Sequence, residues 1–260
     1  MIELASSMCP ALVELIQADD APIDRIEIGP WFNISAIQDL RAQLPDWRIH
    51  IHDGDLHNYF FSSRRVLEQM QAYHAVTDSP FISLHITLIF RGMVRIHKYG
   101  IPFPRLSHAM MMRRLIGRVE MVKSTLKKPV ILENMPGFPK FPIEGQPATI
   151  NALLEATDCG MLLDLGHARC AADILELDIR DYLTQLPLHR VQQIHAHSPR
   201  LGRQGKLEDA HEPMLDEDYA LLEWVLERCQ PQIITLEYWK DKQAIREQLY
   251  RLRAMIDVSA

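Results

Sequence analysis

The feature that most constrains this chain is an alternation repeated along its whole length. A short apolar or β-branched run is followed by a polar loop and then by a longer stretch with helical periodicity. Strands are predicted at Met1–Ala5, Arg25–Ile28, Trp47–His52, Phe81–Ile86, Pro129–Leu132, Gly160–Asp164, Arg190–His195 and Gln232–Glu237. Helices are predicted near Pro10–Ala18, Ile34–Leu44, Ser63–Ala75, Ser107–Leu126, Thr149–Ala156, Ala171–Leu183, Glu217–Cys229 and Lys242–Ile256. The fourth helix carries the signal best: Ser107 suits an N-cap, and Met112, Leu115, Ile116, Val119 and Val122 recur at three- and four-residue steps. Such alternation implies parallel pairing, because each helical crossover returns the chain in the same direction. A closed barrel of this kind needs roughly 250 residues, and the chain has 260. The expectation is an α/β fold, a (β/α)₈ TIM barrel forming a single domain over residues 1–260, with an open doubly wound sheet as the alternative.

Composition narrows the function classes. A net charge of −6 gives no electrostatic reason to expect a nucleic acid partner. Cys9, Cys159, Cys170 and Cys229 form no C-x-x-C pair and suit reduced thiols. No apolar run reaches the length of a membrane span, and the start lacks the pattern of a signal peptide. A cytoplasmic protein without membrane contact is expected.

The chemistry gathers at predicted strand ends. Seven of the twelve histidines fall there: His50, His52, His85, His167, His195, His197 and His211. So do Glu27, Glu133, Asp164, Asp209 and Glu237. A parallel barrel brings all its strand C-termini to one face, so these residues converge on one mouth. A single His or Glu at a strand end is more often a hydrogen-bonded rim residue. Many of them crowded together would suffer desolvation and repulsion, which a divalent cation relieves. No cysteine belongs to the set, so imidazole and carboxylate ligands suit iron, zinc or manganese. One ion takes roughly four to six ligands, which the candidates exceed, so two or three ions are implied. His50 and His52 share a strand face. His52, nearer the end, is the better ligand, and His50 lies a layer deeper. His57, His74, His97, His108 and His189 read as surface or loop residues.

The segments Ile82-Ser83-Leu84-His85, Leu132-Glu133-Asn134, Leu162-Leu163-Asp164 with Gly166-His167, Ile194-His195, Asp209-Ala210-His211 and Leu236-Glu237 together resemble the xylose-isomerase-like TIM barrel superfamily. Within it the chain looks most like the multinuclear non-haem iron-dependent oxidative enzymes, the type that includes the methanobactin-biosynthesis oxidase. The resemblance implies His52, His85, Glu133, Asp164, His167, His195, Asp209, His211 and Glu237 as metal ligands. It departs from that branch at Asp164-x-x-His167, which sugar epimerases and the trinuclear endonuclease of the superfamily share, and at His195-x-His197.

Glu133, Glu237 and His167 are candidate catalytic groups. His197 and Arg200 are candidate substrate contacts, and Glu27 and Asn134 would support the ligands from behind. Iron is the metal the resemblance favours. The resemblance implies oxidative modification of a peptide or small thiol-containing substrate, and for a peptide it implies help from a partner protein. Two alternatives stand beside it: a sugar (phosphate) isomerase or epimerase using Glu133 and Glu237, and a trinuclear phosphodiester hydrolase.

Overall fold

The structure, a computed structural model, describes residues 1–55, 63–87, 107–137, 145–202 and 205–259. Its strands are β1 (Glu3–Ser7), β2 (Arg25–Ile28), β3 (Arg48–Ile51), β4 (Gly54–Asp55), β5 (Ile82–His85), β6 (Val130–Glu133), β7 (Gly160–Asp164), β8 (Val191–Ala196), β9 (Ser198–Leu201), β10 (Leu207–Glu212) and β11 (Ile233–Leu236). The helices are α1 (Pro10–Gln17), α2 (Ile34–Gln43), α3 (Ser63–Val76), α4 (His108–Leu126), α5 (Pro147–Thr157), α6 (Leu165–Leu175), α7 (Ile179–Thr184), α8 (Asp216–Leu226) and α9 (Lys242–Ser259).

All strands except β9 and β10 form one parallel sheet ordered β3-β2-β1-β11-β8-β7-β6-β5-β4. Its two edges, β3 and β4, are consecutive pieces of one stretch. The His52 amide donates to Ile28 of β2, and the next amide, Asp53, donates to Ser83 of β5. The sheet therefore closes on itself as an eight-stranded barrel, with β3 and β4 together serving as one staves' length.

The side-chain period of two sorts the barrel interior into layers. At the bottom, Ala5, Phe81, Ile131, Leu162 and Ile233 form an apolar cluster separate from the main core. Two residues further along the same strands come Ser83, Glu133, Asp164 and Thr235, and two beyond Ser83 and Thr235 come His85 and Glu237. Apolar groups thus fill the floor, and polar groups occupy the end from which the βα loops leave. The other face of each strand packs Leu4, Ile26, Ile49, Leu84, Leu132, Leu163, Ile194 and Leu236 against the helices. Burying each such side chain stabilises the fold by about 1.5–3 kcal/mol.

Strand expectations agree with the structure to within two residues. Three local differences matter. Helix α6 begins directly after Asp164, where the sequence reading started a helix only at Ala171, and a second helix, α7, follows. Asp164 itself is the cap, accepting from the His167 amide at 2.6 Å. The stretch after His197, read as loop, contains the antiparallel hairpin β9–β10. His74, read as surface, is buried and bonds Asp53 at 3.1 Å, because α3 packs its inner face over that carboxylate. His57 and His97 lie outside the described residues.

Candidate metal centre

Glu133, at the end of β6 and 1% exposed, is the hub of the mouth. Its Oε2 lies 3.1 Å from His52 Nε2 and 3.1 Å from His85 Nε2. Its Oε1 lies 3.1 Å from His167 Nδ1 and 3.9 Å from His195 Nδ1. The two nitrogens of His52 and His85 are 2.7 Å apart, so both aim at one point beside the carboxylate.

The set continues without a break. His195 Nδ1 is 3.2 Å from Glu237 Oε2 and 3.8 Å from Asp164 Oδ2. His197 Nε2 meets Asp164 Oδ2 at 3.1 Å, and His167 Nε2 meets Asp209 Oδ2 at 3.3 Å. His211 joins through Asp209 at 3.3 Å and Glu237 at 3.7 Å. Among the described residues, three-donor groups close enough to share an ion include His52–His85–Glu133, Glu133–Asp164–His195, Asp164–His167–His197 and His197–His211–Glu237.

Local structure explains how each donor arrives. Asp164 uses Oδ1 as the α6 cap, which leaves Oδ2 for the cluster. A side chain at Gly166 would lie 2.1 Å from the His197 ring, so only glycine lets that ring sit against the first turn of α6. On the hairpin, the register of β10 shifts between Glu208 and Glu212, and His211 has φ +45°. This bulge turns Asp209 and His211 toward the mouth from a strand outside the barrel.

Groups behind the donors hold them. Ser83 Oγ is 2.9 Å from His52 Nδ1, leaving Nε2 for Glu133 and His85. Asn134 ties two strand ends together, donating to Asp164 O at 3.0 Å and accepting from Asp164 N at 2.9 Å. Glu27 Oε2 sits under the cluster with His50 Nε2 at 2.8 Å, Gln193 Nε2 at 2.6 Å, Thr235 Oγ1 at 3.2 Å and His195 Nε2 at 3.3 Å. His50 thus lies one layer below His52, against Glu27.

The electrostatics follow from burial. Burial alone would raise Glu133, but the His85 and His52 charges and a bond from His167 hold it well below the usual carboxylate range. Burial would lower His167 and His195. The surrounding carboxylates, Asp164, Asp209 and Glu133 for the first and Glu237 and Glu27 for the second, instead raise both well above the usual value. His197 is raised likewise by Asp164.

A cavity of about 610 Å³ opens onto the cluster. His52, His85, Glu133, His167, Asp209, His211 and Glu237 line one side, with Glu27 at the base. Met8, Cys9, Ile28, Trp31, Met135 and Trp239 complete the lining, with the Trp239 ring 4.9 Å from that of His211; none of the six was expected from sequence as a site residue. Only the run of chain after each strand could have signalled them. His197 is 1% exposed and sits among the donors, outside the lining. Arg200 points outward on β9, paired with Glu208 at 3.5 Å and away from the cavity.

Fold and site together define the class: a xylose-isomerase-like TIM barrel whose strand ends could hold metal. Two solved structures share the fold. A xylose isomerase domain protein of Salmonella typhimurium aligns with a TM-score of 0.64 at 10% identity, covering 98% of this chain and 97% of that one. The E. coli 3-keto-D-glucoside 4-epimerase YcjR aligns with a TM-score of 0.61 at 14% identity, covering 98% and 100%. In sequence the chain is similar to a UPF0276 protein of Pseudomonas aeruginosa, 25% identical over 222 residues, covering 82% of this chain and 76% of that protein. The profile of the family described as RiPP precursor modification enzyme MbnB/TglH/ChrH matches residues 61–257, and the chain belongs to that family.

Proposed function

We propose that this protein is a multinuclear metal enzyme, loaded with two or three iron ions, that uses O₂ to modify a thiol-bearing residue of a peptide or a small thiol. The observation that carries this reading is the unbroken run of nine donors, from His52 to Glu237, sharing Glu133 at its centre. The residues fit bound cations: Glu133 Oε2 and His195 Nδ1 are buried without a hydrogen-bond partner. Orphaned buried donors of this kind cost about 1–3 kcal/mol each, which coordination would offset. His52, His85, Glu133, Asp164, His167, His195, Asp209, His211 and Glu237 would hold the ions. Membership of a precursor-peptide-modifying family supports a peptide as substrate.

Bound iron would supply positions for O₂ and a substrate sulfur, and one-electron steps. The chain's own residues do the rest. The apolar wall of Met8, Ile28, Trp31, Met135 and Trp239 receives the substrate and sheds water from the reacting end. His167 lines the cavity, and the contact of its Nδ1 to Asn134 O at 3.0 Å fixes the ring and leaves Nε2, beside Asp209, for a bound ion. Glu133 and Glu237 line the cavity beside it.

The test is elemental analysis of protein expressed with ample iron, followed by O₂ uptake with a cysteine-containing peptide. Two or three irons per chain and thiol-dependent O₂ consumption are expected. Zinc or manganese alone, with no O₂ uptake, overturns the reading.

A further inference from the structure

Charge is distributed unevenly in this chain. No Asp or Glu occurs between Asp78 and Glu120, while Arg91, Arg95, Lys98, Arg105, Arg113, Arg114 and Arg118 fall in the same stretch. The only described helix in it is α4, which follows β5 and so starts on the mouth side of the barrel. Arg113 and Arg114 are exposed, within two turns of that start. Neither has an ion pair among the described residues, and residues 88–106 contain no acid that could supply one.

Two choices on this surface work against the helix that carries them. Arg114 and Arg118 are like charges four residues apart, which repel. Burial and the Arg114 charge together push the Arg118 guanidinium below its ordinary value. Gly117 sits in the middle of the helix although a side chain there would meet nothing within 4 Å, and glycine is a poor helix former. Alanine or glutamate would stabilise α4 at that position at no steric cost. Local choices that contradict the fold without a packing reason mark functional surface. Among the described residues they leave a cationic shelf at Arg113 and Arg114 with nothing over Gly117 beside it.

We propose that this shelf of α4 docks an acidic segment of the substrate polypeptide while its reacting residue occupies the cavity. The inference rests on the peptide-substrate reading above. Complementary charge is what the shelf offers. Its small extent suits a short acidic segment of polypeptide. An extended nucleic acid would also meet the remainder of the chain, which is strongly acidic: removing residues 79–119 from the whole takes the net charge from −6 to −13.

The test uses the full metal-loaded chain and a fluorescein-labelled oligoglutamate peptide, read by anisotropy. Wild type is expected to bind. Arg113→Glu/Arg114→Glu should weaken binding about tenfold or more, and Arg113→Gln/Arg114→Gln by less. Raising salt from about 0.05 M to about 0.5 M, which shortens screening roughly threefold, should weaken it too. Arg251→Glu, on α9, is expected to bind as wild type does. Unchanged binding by both double variants overturns the proposal, as does tighter binding of a labelled oligothymidylate of equal charge. Metal content, measured on the same samples, tests the centre itself: acidic peptide binding with an iron-free site would sink the function while leaving the shelf.

Discussion

Two parts of the candidate metal centre are built in opposite ways. Glu133, Asp164 and His195 project from barrel strands and are at most 1% exposed. Asp209 and His211 come from the β9–β10 hairpin, with side chains 33% and 22% exposed. The first group is fixed by strand period and by the packed layer beneath it. The second depends on a bulge, a positive φ at His211 and a tether in which the Leu207 amide donates to Asp173 at 2.9 Å. The contrast implies a rigid nucleus of donors and a less constrained closing arm.

The largest effect should follow from removing the hub. Glu133→Ala deletes the carboxylate that approaches four imidazoles and leaves those rings facing one another. Metal content is expected to fall to background with the far-UV spectrum unchanged. Retention of even one tightly bound ion would mean that the hub is elsewhere. His211→Ala, by contrast, should leave the strand-borne donors filled and lose only part of the metal. Equal losses in the two variants would erase the distinction between nucleus and arm.

Stripping the metal sharpens the comparison through pH. In the chelated protein the imidazole–carboxylate pairs must stabilise each other. His167, His195 and His197 are raised above the ordinary 6.5, so their contribution is complete below that value and is lost as pH rises through the raised value. Glu133 and Asp209 are lowered, so the same pairs contribute above the ordinary carboxylate range and fail as pH falls through the lowered value. The chelated protein is therefore expected to melt highest in mild acid and lower at alkaline pH. The loaded protein, in which cations replace those protons, should keep its melting temperature on the alkaline side. Parallel profiles for both forms would argue against a shared site.

How much of this was legible in the sequence tracks the same division. Strand ends follow from apolar runs and their period, so His52, His85, Glu133, Asp164, His195 and Glu237 could be placed at one mouth before any coordinates. The hairpin was not legible, because its strands are polar and its bulge breaks the alternation that marks a strand. Asp209 and His211 were grouped with the barrel strand ends, whereas a hairpin outside the barrel delivers them. The α6 boundary was missed because Asp164 serves both as the last strand residue and as the helix cap. His74 was misplaced because burial by a neighbouring helix leaves no trace in local sequence. The apolar cavity wall combines ends of β1, β2, β6 and β11 that meet only when the barrel closes.

The smallest effect concerns a residue that touches the nucleus from below. Glu27 is fully buried, yet the His195 and His50 interactions keep it well below the usual carboxylate range against the opposing pull of burial. Its Oε2 accepts from side chains on three other strands, β3, β8 and β11, so it clamps the polar layer under the centre. The contact to His195 Nε2 favours a proton on that nitrogen and so presents Nδ1 to Glu237, Asp164 and Glu133. Glu27→Gln keeps the shape but removes the charge. The ring should lose its preferred tautomer while its place on β8 stays fixed. Metal affinity is expected to drop by about tenfold, the low end of what such supporting partners contribute, with the fold intact. Competition against a chelator measures it, and nitrogen-15 shifts of His195 report the tautomer. If the affinity falls while the tautomer holds, Glu27 acts only by packing. If neither moves, the strand alone fixes the ring, and the nucleus is more rigid than its buried network requires.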